Sequence, residues 1–444
     1  MHLHFIVQDR HDTRPVHCVQ TMLPPHAKQL DLSHATPTEV AASWPASEPI
    51  IALVSNATQS RWSRWSVLAP ATGKRLKLNG PDAMDQLREV LQKSTHNTLL
   101  PNWIGYLSYE LGMAIEPTTG TLAEQAWPLV DLIWCDKALV HDGETNTWWS
   151  IGDLKPPKLV KKKPAILSCS ALIDIDGDDA FKSAVNKTVD FIHAGDIFQA
   201  NITRRFSADV CGDIRGSALN MLGDDGGFFG AWIEFPEDGR YILSLSPELF
   251  LQTDGESGEI LTRPMKGTRP ESEEAHVLLE SEKDAAELHM IVDLMRNDLG
   301  RVCEFGSIEV RESRAIEKHP TVWQCVGEVR GVLRDSSSIS DVLEATFPAG
   351  SITGAPKIRA MQIINALETS PRGPYCGAIG IVGNSSMLNV GIRTALFTGS
   401  STPDDFKGTL HYSTGCGIVA ESDADSELAE SEVKTHILRN LINL

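Results

Sequence analysis

The feature that most constrains how this chain can fold is a run of prolines and lysines, Lys155-Pro156-Pro157-Lys158 and then Lys161-Lys162-Lys163-Pro164. Proline lacks a backbone donor and fixes φ, so neither a helix nor a central strand passes through such a run. Residues 152–172 therefore read as a linker. They divide the chain of 444 residues into an N-terminal region, 1–151, and a larger region, 173–444. The length exceeds what one small core organises, while a hydrophobic content of 41% is enough to fill a large one.

The lysines of the linker carry no interleaved aromatics, which marks a solvated segment rather than a nucleic-acid footprint. Acidic residues outnumber basic ones by 59 to 40, and a net charge of −19 repels polyphosphates, so neither nucleic acid nor an anionic membrane surface is an expected partner. An anionic ligand would need a local cationic grip. No stretch approaches the roughly 20 continuous apolar residues of a membrane span. The segment Met1 to Asp9 lacks the basic and apolar regions of a secretory signal, so a cytoplasmic location is expected. The 8 cysteines are dispersed with no C-x-x-C pair, which predicts free thiols.

Before the linker, Ile50 to Val54 and Leu129 to Trp134 read as buried strands and Ala83 to Ser94 as a short helix. After it, Phe181, Val185, Val189 and Ile192 recur at helical spacing within Asp178 to His193. Strands are expected at Phe228 to Phe235, Tyr241 to Leu245 and Leu249 to Thr253. Their hairpin-length connections predict an α+β fold with antiparallel sheets flanked by helices.

Three segments carry chemistry. Lys266 lies in Arg263-Pro264-Met265-Lys266-Gly267-Thr268, shortly after Glu248 of Ser246-Pro247-Glu248-Leu249-Phe250. An amine nucleophile beside a general acid can displace a poor leaving group such as hydroxyl. Glu287 sits at the margin of the apolar stripe Ala285, Leu288, Ile291, Val292 and Met295, in a helix that Gly300 is expected to stop. Glu427 and Glu430 share one face of a C-terminal helix that Ser422-Asp423-Ala424-Asp425 opens as a capping box. Lys434 follows four residues after Glu430. Two carboxylates plus a substrate oxygen suit Mg²⁺. The Gly- and Pro-rich stretch Phe347 to Lys357 is expected to be an unpacked loop that offers amides and the Thr353 hydroxyl to a ligand. Gly415-Cys416-Gly417 permits close backbone approach, and Arg393 offers a bidentate cation for a carboxylate.

These segments, with Lys283 to Val302 and Gly415 to Ser422, form six ordered motifs over residues 175–444. The chain resembles the chorismate-utilising enzymes, the group that contains anthranilate synthase component I and aminodeoxychorismate synthase component I. The resemblance implies an anthranilate synthase-like fold with antiparallel sheets in a sandwich. It also implies Mg²⁺ as cofactor and Glu287, Glu427 and Glu430 as metal ligands. Glu248 and Lys266 would be catalytic. Gln199, Thr353, Tyr375, Arg393, Gly415, Gly417 and Lys434 would hold the substrate.

Members that add water to C2 carry a lysine base where this chain has Gln199, so the resemblance points to the branch that uses ammonia. Lysine at position 266, where anthranilate synthases have alanine, points to the aminodeoxychorismate, or folate, branch. Lys266 would attack C2 while Glu248 protonates the departing C4 hydroxyl, and ammonia from a separate glutaminase chain would then enter at C4. Both groups would start neutral, which requires burial. Anthranilate synthase component I is the alternative enzyme, and a noncatalytic regulatory subunit is the alternative of another class. Gln324 stands where the family carries a histidine, so no proton-handling role passes to it. In the N-terminal region, Ser55, Trp62, Ser63, Arg64 and Trp65, with Phe228, Phe229 and Gly230, resemble the family's tryptophan pocket. The bulk of Trp65 and Phe228 predicts a pocket filled by its own side chains.

Overall fold

The computed structural model describes residues 23–438 apart from 56–63, 94–95, 123–125, 161–164, 166, 225, 271–273 and 320–321. Two large antiparallel sheets face each other. The first runs, in order of pairing, Lys28–Leu30, Thr147–Ile151, Ala138–Asp142, Trp65–Pro70, Ile50–Val54, Phe229–Phe235, Arg240–Ser246, Thr394–Gly399, Phe406–Ile418, Gln199–Gly212 and Ile173–Asp174. The second runs Met265–Pro270, Val322–Val332, Glu259–Arg263, Leu249–Thr253, Ser386–Val390, Ala378–Val382, Asn102–Leu107, Val130–Cys135 and Arg75–Leu78, with Glu309–Lys318 added against Val322–Val332. The fold is mixed α+β.

Strands from before residue 152 complete both sheets, so the two stretches of chain build one sandwich rather than a sheet each. Within 152–172, residues Leu167–Cys169 form a strand against Val210 to Gly212, so that end of the expected linker is part of the first sheet. Lys161, Lys162, Lys163 and Pro164 lie outside the described residues.

The strands read as near-continuous apolar runs because both faces of each sheet are covered. Ile51, Val67, Ile104, Tyr106, Ile133, Ile233 and Ile379 from both sheets form the core between them. The alternate residues Ile50, Ala52 and Val54 turn outward, under a layer that includes the helices Pro37–Ala42 and Ile214–Asp224. Trp103 and Leu107 turn outward from the second sheet under Ala83–Leu91, Glu282–Gly300 and Ile339–Thr346. Ala83–Leu91 ends three residues before the expected Ser94, which lies outside the described residues.

Helix Asp178–His193 occupies the expected residues and packs Phe181 and Val185 onto Ala200 and Ile202. The C-terminal helix is Ala424–Val433, and its cap is Asp423, which accepts the Ser426 amide at 2.9 Å. Ser422 is not the cap. Its hydroxyl donates instead to Glu427 Oε1 at 2.7 Å. The helix ends at Val433 and continues as a tighter turn, Lys434–Leu438. The stretch Phe347 to Lys357 is packed, contrary to the expected open loop. Gly350–Ile352 is a helical turn, Gly354–Ala355 pairs with Gln199 and Ala200, and Lys357 begins the helix Lys357–Leu367.

Candidate active site

Glu248 lies in the tight connection between strands Arg240–Ser246 and Leu249–Thr253, 3% exposed. The Ser246 hydroxyl accepts the Glu248 amide at 3.2 Å and the Glu248 carbonyl accepts the Val390 amide at 3.0 Å, so the backbone is fixed on both sides. Burial pushes the carboxyl pKa up to about 7. The Ser351 hydroxyl, which donates to Oε1 at 2.6 Å, the Lys266 charge and the Met265 amide pull the other way and do not overcome burial. A carboxyl balanced at this value is about half protonated at neutral pH and can release its proton to a departing oxygen.

Lys266 is half-buried on the strand Met265–Pro270, whose pairing with Val322–Val332 is interrupted between Met265 and Thr268. Gly267 adopts φ 81° at that interruption, a backbone that glycine enters freely. Above the adjoining sheet, a Cβ on Gly417 would sit 2.4 Å from Gln199 Nε2 and 3.0 Å from Lys266 Nζ. Glycine at 417 is therefore what lets these two side chains converge. Asn201 pairs with Gly417 and Thr203 with Gly415, so the Gln199 strand and the glycine strand form one wall.

Two buried acceptors lack hydrogen-bond partners among the described residues: Oε1 of Gln199, 1% exposed, and Oε1 of Gln324, 5% exposed, whose residue pairs with Thr268. An unsatisfied buried acceptor costs about 1–3 kcal/mol unless a ligand completes it. Arg393 has no side-chain ion pair among the described residues, and burial lowers its pKa against the opposing effect of Tyr412. It adopts φ 50°, a left-handed backbone that an arginine rarely enters. Tyr375 is buried, and the amide of its neighbour Cys376 donates to the carbonyl of Gly391, two residues before Arg393, at 2.9 Å.

Thr353 is buried too, but its hydroxyl donates to the carbonyls of Ala349 and Gly350 at 3.0 and 3.3 Å. The hydroxyl of this segment that reaches Glu248 is Ser351, which sequence reasoning passed over. It lies two residues away in the same motif, and nothing in the motif shows which hydroxyl turns inward.

The carboxylates divide into two places. Glu427 and Glu430 share a helix face as their spacing requires, and with Cys416 Sγ their ligand atoms lie within 4.8 Å of one another. Burial pushes the Cys416 thiol up to about 12, so it stays protonated and the two carboxylates are the hard donors of the group. Lys434 Nζ reaches Glu430 at 2.7 Å and the Gly415 carbonyl at 2.7 Å. Burial lowers the lysine pKa, but its neighbours, the Glu430 and Glu427 carboxylates among them, outweigh burial and raise it above its ordinary value. Glu287, half-buried on Glu282–Gly300, is not a member of the Cys416, Glu427 and Glu430 group. A paired carboxylate set with oxygen donors fits Mg²⁺.

In the N-terminal region the Ser55 hydroxyl donates to the Phe228 carbonyl at 2.8 Å. Arg64 forks onto Asp142 at 2.9 and 3.0 Å and reaches Glu144 at 2.6 Å. Phe228 and Phe229 are buried with Leu249 and Leu261, and Phe228 stacks on His319 at 4.3 Å. Gly230 pairs with Val54. Trp65 is half-buried beneath the Arg64 guanidinium. Trp62 and Ser63 lie outside the described residues.

Known proteins resemble this chain in sequence and in fold. The profile of the chorismate binding enzyme family matches residues 51–440. An aminodeoxychorismate synthase component 1 of Escherichia coli is 34% identical over 386 residues, 81% of this chain and 83% of that protein. An anthranilate synthase component 1 of Haloarcula marismortui is 38% identical over 274 residues, 60% of this chain and 54% of that protein, so the aligned stretch spans about half of that relative's length. The crystal structure of anthranilate synthase component I from Streptococcus pneumoniae superposes with a TM-score of 0.72 at 27% identity, covering 86% of this chain and 93% of that one. The menaquinone-specific isochorismate synthase of Escherichia coli shares the fold at a TM-score of 0.73 and 14% identity, covering 94% of each chain. With nearly its whole length matched, this chain belongs to the family of chorismate binding enzymes.

Proposed function

We propose that this chain is an aminodeoxychorismate synthase component I, which converts chorismate and ammonia to 4-amino-4-deoxychorismate. The observation that carries the reading is the convergence of Lys266 Nζ with Gln199 over Gly417, beside a Glu248 whose pKa is about 7. A lysine at this wall can occupy C2 of the ring, and a glutamine cannot deprotonate water as a lysine base would.

Glu248 gives its proton to the C4 hydroxyl, which leaves as water. The Lys266 lone pair forms the bond to C2 as the ring double bonds shift toward C4. Ammonia then bonds to C4, the double bonds shift back, and the C2–N bond breaks with its electrons returning to Lys266. The proton shed by the incoming ammonia restores Glu248. Arg393, the amides of Gly415 and Gly417, and Tyr375 hold the substrate's carboxylates, while Ser351 orients the acid. Mg²⁺ would be held by Glu427 and Glu430, with Glu287 of Glu282–Gly300 as a further carboxylate, and would neutralise a substrate carboxylate.

The ammonia would come from a separate glutaminase chain. No helix among the described residues is long and apolar enough to cross a membrane. Anthranilate synthase component I is the second reading, favoured by relatives of that name at comparable identity, 38% and 30%. Incubation with chorismate, Mg²⁺ and ammonium salt separates them. The proposed product yields 4-aminobenzoate once a lyase is added, whereas direct appearance of fluorescent anthranilate would overturn the reading.

A further inference from the structure

Arg372 takes no part in the chemistry above, yet it joins the two walls on which that chemistry rests. It is 6% exposed and follows the helix Lys357–Leu367. Its Nη1 donates to the Ile352 carbonyl at 2.9 Å, and its Nη2 donates to the Asn201 carbonyl at 2.6 Å. Ile352 adjoins Ser351, whose hydroxyl rests on Glu248; Asn201 lies two residues beyond Gln199 on its strand. One guanidinium therefore bridges the segment that touches the acid and the strand that faces the nucleophile.

The bridge is held in place on three sides. Glu368 grips the guanidinium through Oε2 to Nε at 2.8 Å and Oε1 to Nη2 at 2.7 Å. The same Oε1 accepts the amide and the hydroxyl of Thr203, each at 2.9 Å, which ties the pair to the Gln199 strand a second time. The Tyr109 ring lies 4.4 Å below the guanidinium. Both oxygens of the buried Glu110 accept backbone amides, Arg372 at 2.6 Å and Gly373 at 3.0 Å, which fixes the main chain from which the side chain departs. Arginine has five donors in a rigid plane, and here the plane satisfies two carbonyls and a carboxylate together. A lysine, with one nitrogen, cannot span that geometry.

We propose that Arg372 is a positioning residue of the active site: its fork holds the Ser351 segment against the Gln199 strand and thereby keeps the Ser351 hydroxyl on Glu248. The inference rests on Glu248 acting as the acid. Displacement of a positioned group by about 1 Å costs on the order of 10²-fold in rate. Arg372→Lys keeps the charge and loses the fork.

The test is a cycle of Arg372→Lys, Ser351→Ala and the double variant, assayed as chorismate consumption with saturating ammonium and Mg²⁺ across pH. Arg372→Lys should lower kcat about 10²-fold with KM for chorismate changed by no more than about threefold. The double variant should be no slower than the slower single variant. Lys266 is the titratable group that faces Glu248, and the Ser351 bond favours the ionised carboxylate. Loss of that bond should therefore move the alkaline limb of the kcat/KM profile upward in Ser351→Ala and equally in Arg372→Lys.

Multiplicative losses in the double variant, or a limb that moves in Ser351→Ala and stays still in Arg372→Lys, would overturn the proposal while leaving Glu248 as the acid. A limb unmoved by Ser351→Ala would instead refute the assignment of Glu248. Should Arg372→Lys lack a cooperative melt, Glu368→Gln takes its place in the same cycle with the same criteria, since it loosens the guanidinium without removing it.

Discussion

The wall around Lys266 and the region around Phe228 belong to one sandwich, and they differ in what becomes of their polar groups. Around Phe228 the hydroxyl of Ser55 and the guanidinium of Arg64 already have protein partners, and the aromatic rings pack on one another. Around Lys266, among the described residues, the acceptors of Gln199 and Gln324 have none, Arg393 has no side-chain ion pair, and a carboxyl sits near pKa 7. The contrast is one of degree. His319, stacked on Phe228, also leaves both ring nitrogens unpaired among the described residues, and burial with the charges of Arg393 and Arg263 lowers its pKa to about 3. A binding site keeps polar capacity in reserve at a cost in stability, and a packed core does not.

The largest expected effect separates the two regions by function. Glu248→Gln removes the proton donor and should lower kcat by about 10³-fold, within the range that general acid catalysis contributes. It should also raise stability at alkaline pH. The folded pKa of about 7 lies above the ordinary value of 4.5, so the native state favours the protonated form. That contribution is complete below pH 4.5 and is lost as pH rises from 4.5 through 7. A glutamine has no proton to lose, so between pH 5 and pH 8 the variant should gain up to about 3 kcal/mol relative to the parent. Thermal or urea unfolding at the two pH values measures this, and a pH-independent difference would break the account of a buried, strained acid.

A smaller effect concerns the carboxylates. Glu430→Gln and Glu287→Gln should each weaken Mg²⁺ about 10- to 100-fold, read as the Mg²⁺ concentration giving half-maximal rate. Wild-type activity of both variants at limiting Mg²⁺ would remove them from the metal site. The smallest effect is expected at Phe228. Free tryptophan at millimolar concentration should leave the melting temperature unchanged, because a ligand held at 100 times its Kd would add about 2.7 kcal/mol and be visible. A clear rise would show that this region also keeps room for a ligand.

Much of this was legible in the sequence where local periodicity decides the outcome. Ile50–Val54 and Asp178–His193 are found at the expected residues because an apolar β-branched run and helical spacing mark an element locally, whichever partner it later pairs with. Glu427 and Glu430 share a face for the same reason. What was not legible depends on long-range pairing. The composition around residue 152 gives no sign that strands on either side of it share both sheets. Gly and Pro in Phe347 to Lys357 suggest an open loop, yet Gly354 and Ala355 are stitched to Gln199 and Ala200 across the fold. That pairing turns the Thr353 hydroxyl into its own turn and leaves Ser351 to face Glu248. Arg372 was silent for the same reason, since its partners Asn201 and Ile352 lie far from it in the chain.

The central claim is that Lys266 bonds to C2 of chorismate, which directs ammonia to C4. It is tested most directly by intact-protein and peptide mass spectrometry after incubation with chorismate and Mg²⁺ in the absence of ammonia, together with product analysis of Lys266→Ala. The account predicts a chorismate-derived mass, less one water, on the peptide that carries Lys266. It further predicts loss of most activity in the alanine variant, with residual product shifted to the C2 amine. An unmodified Lys266 peptide, joined to an unchanged 4-amino product from Lys266→Ala, would contradict it.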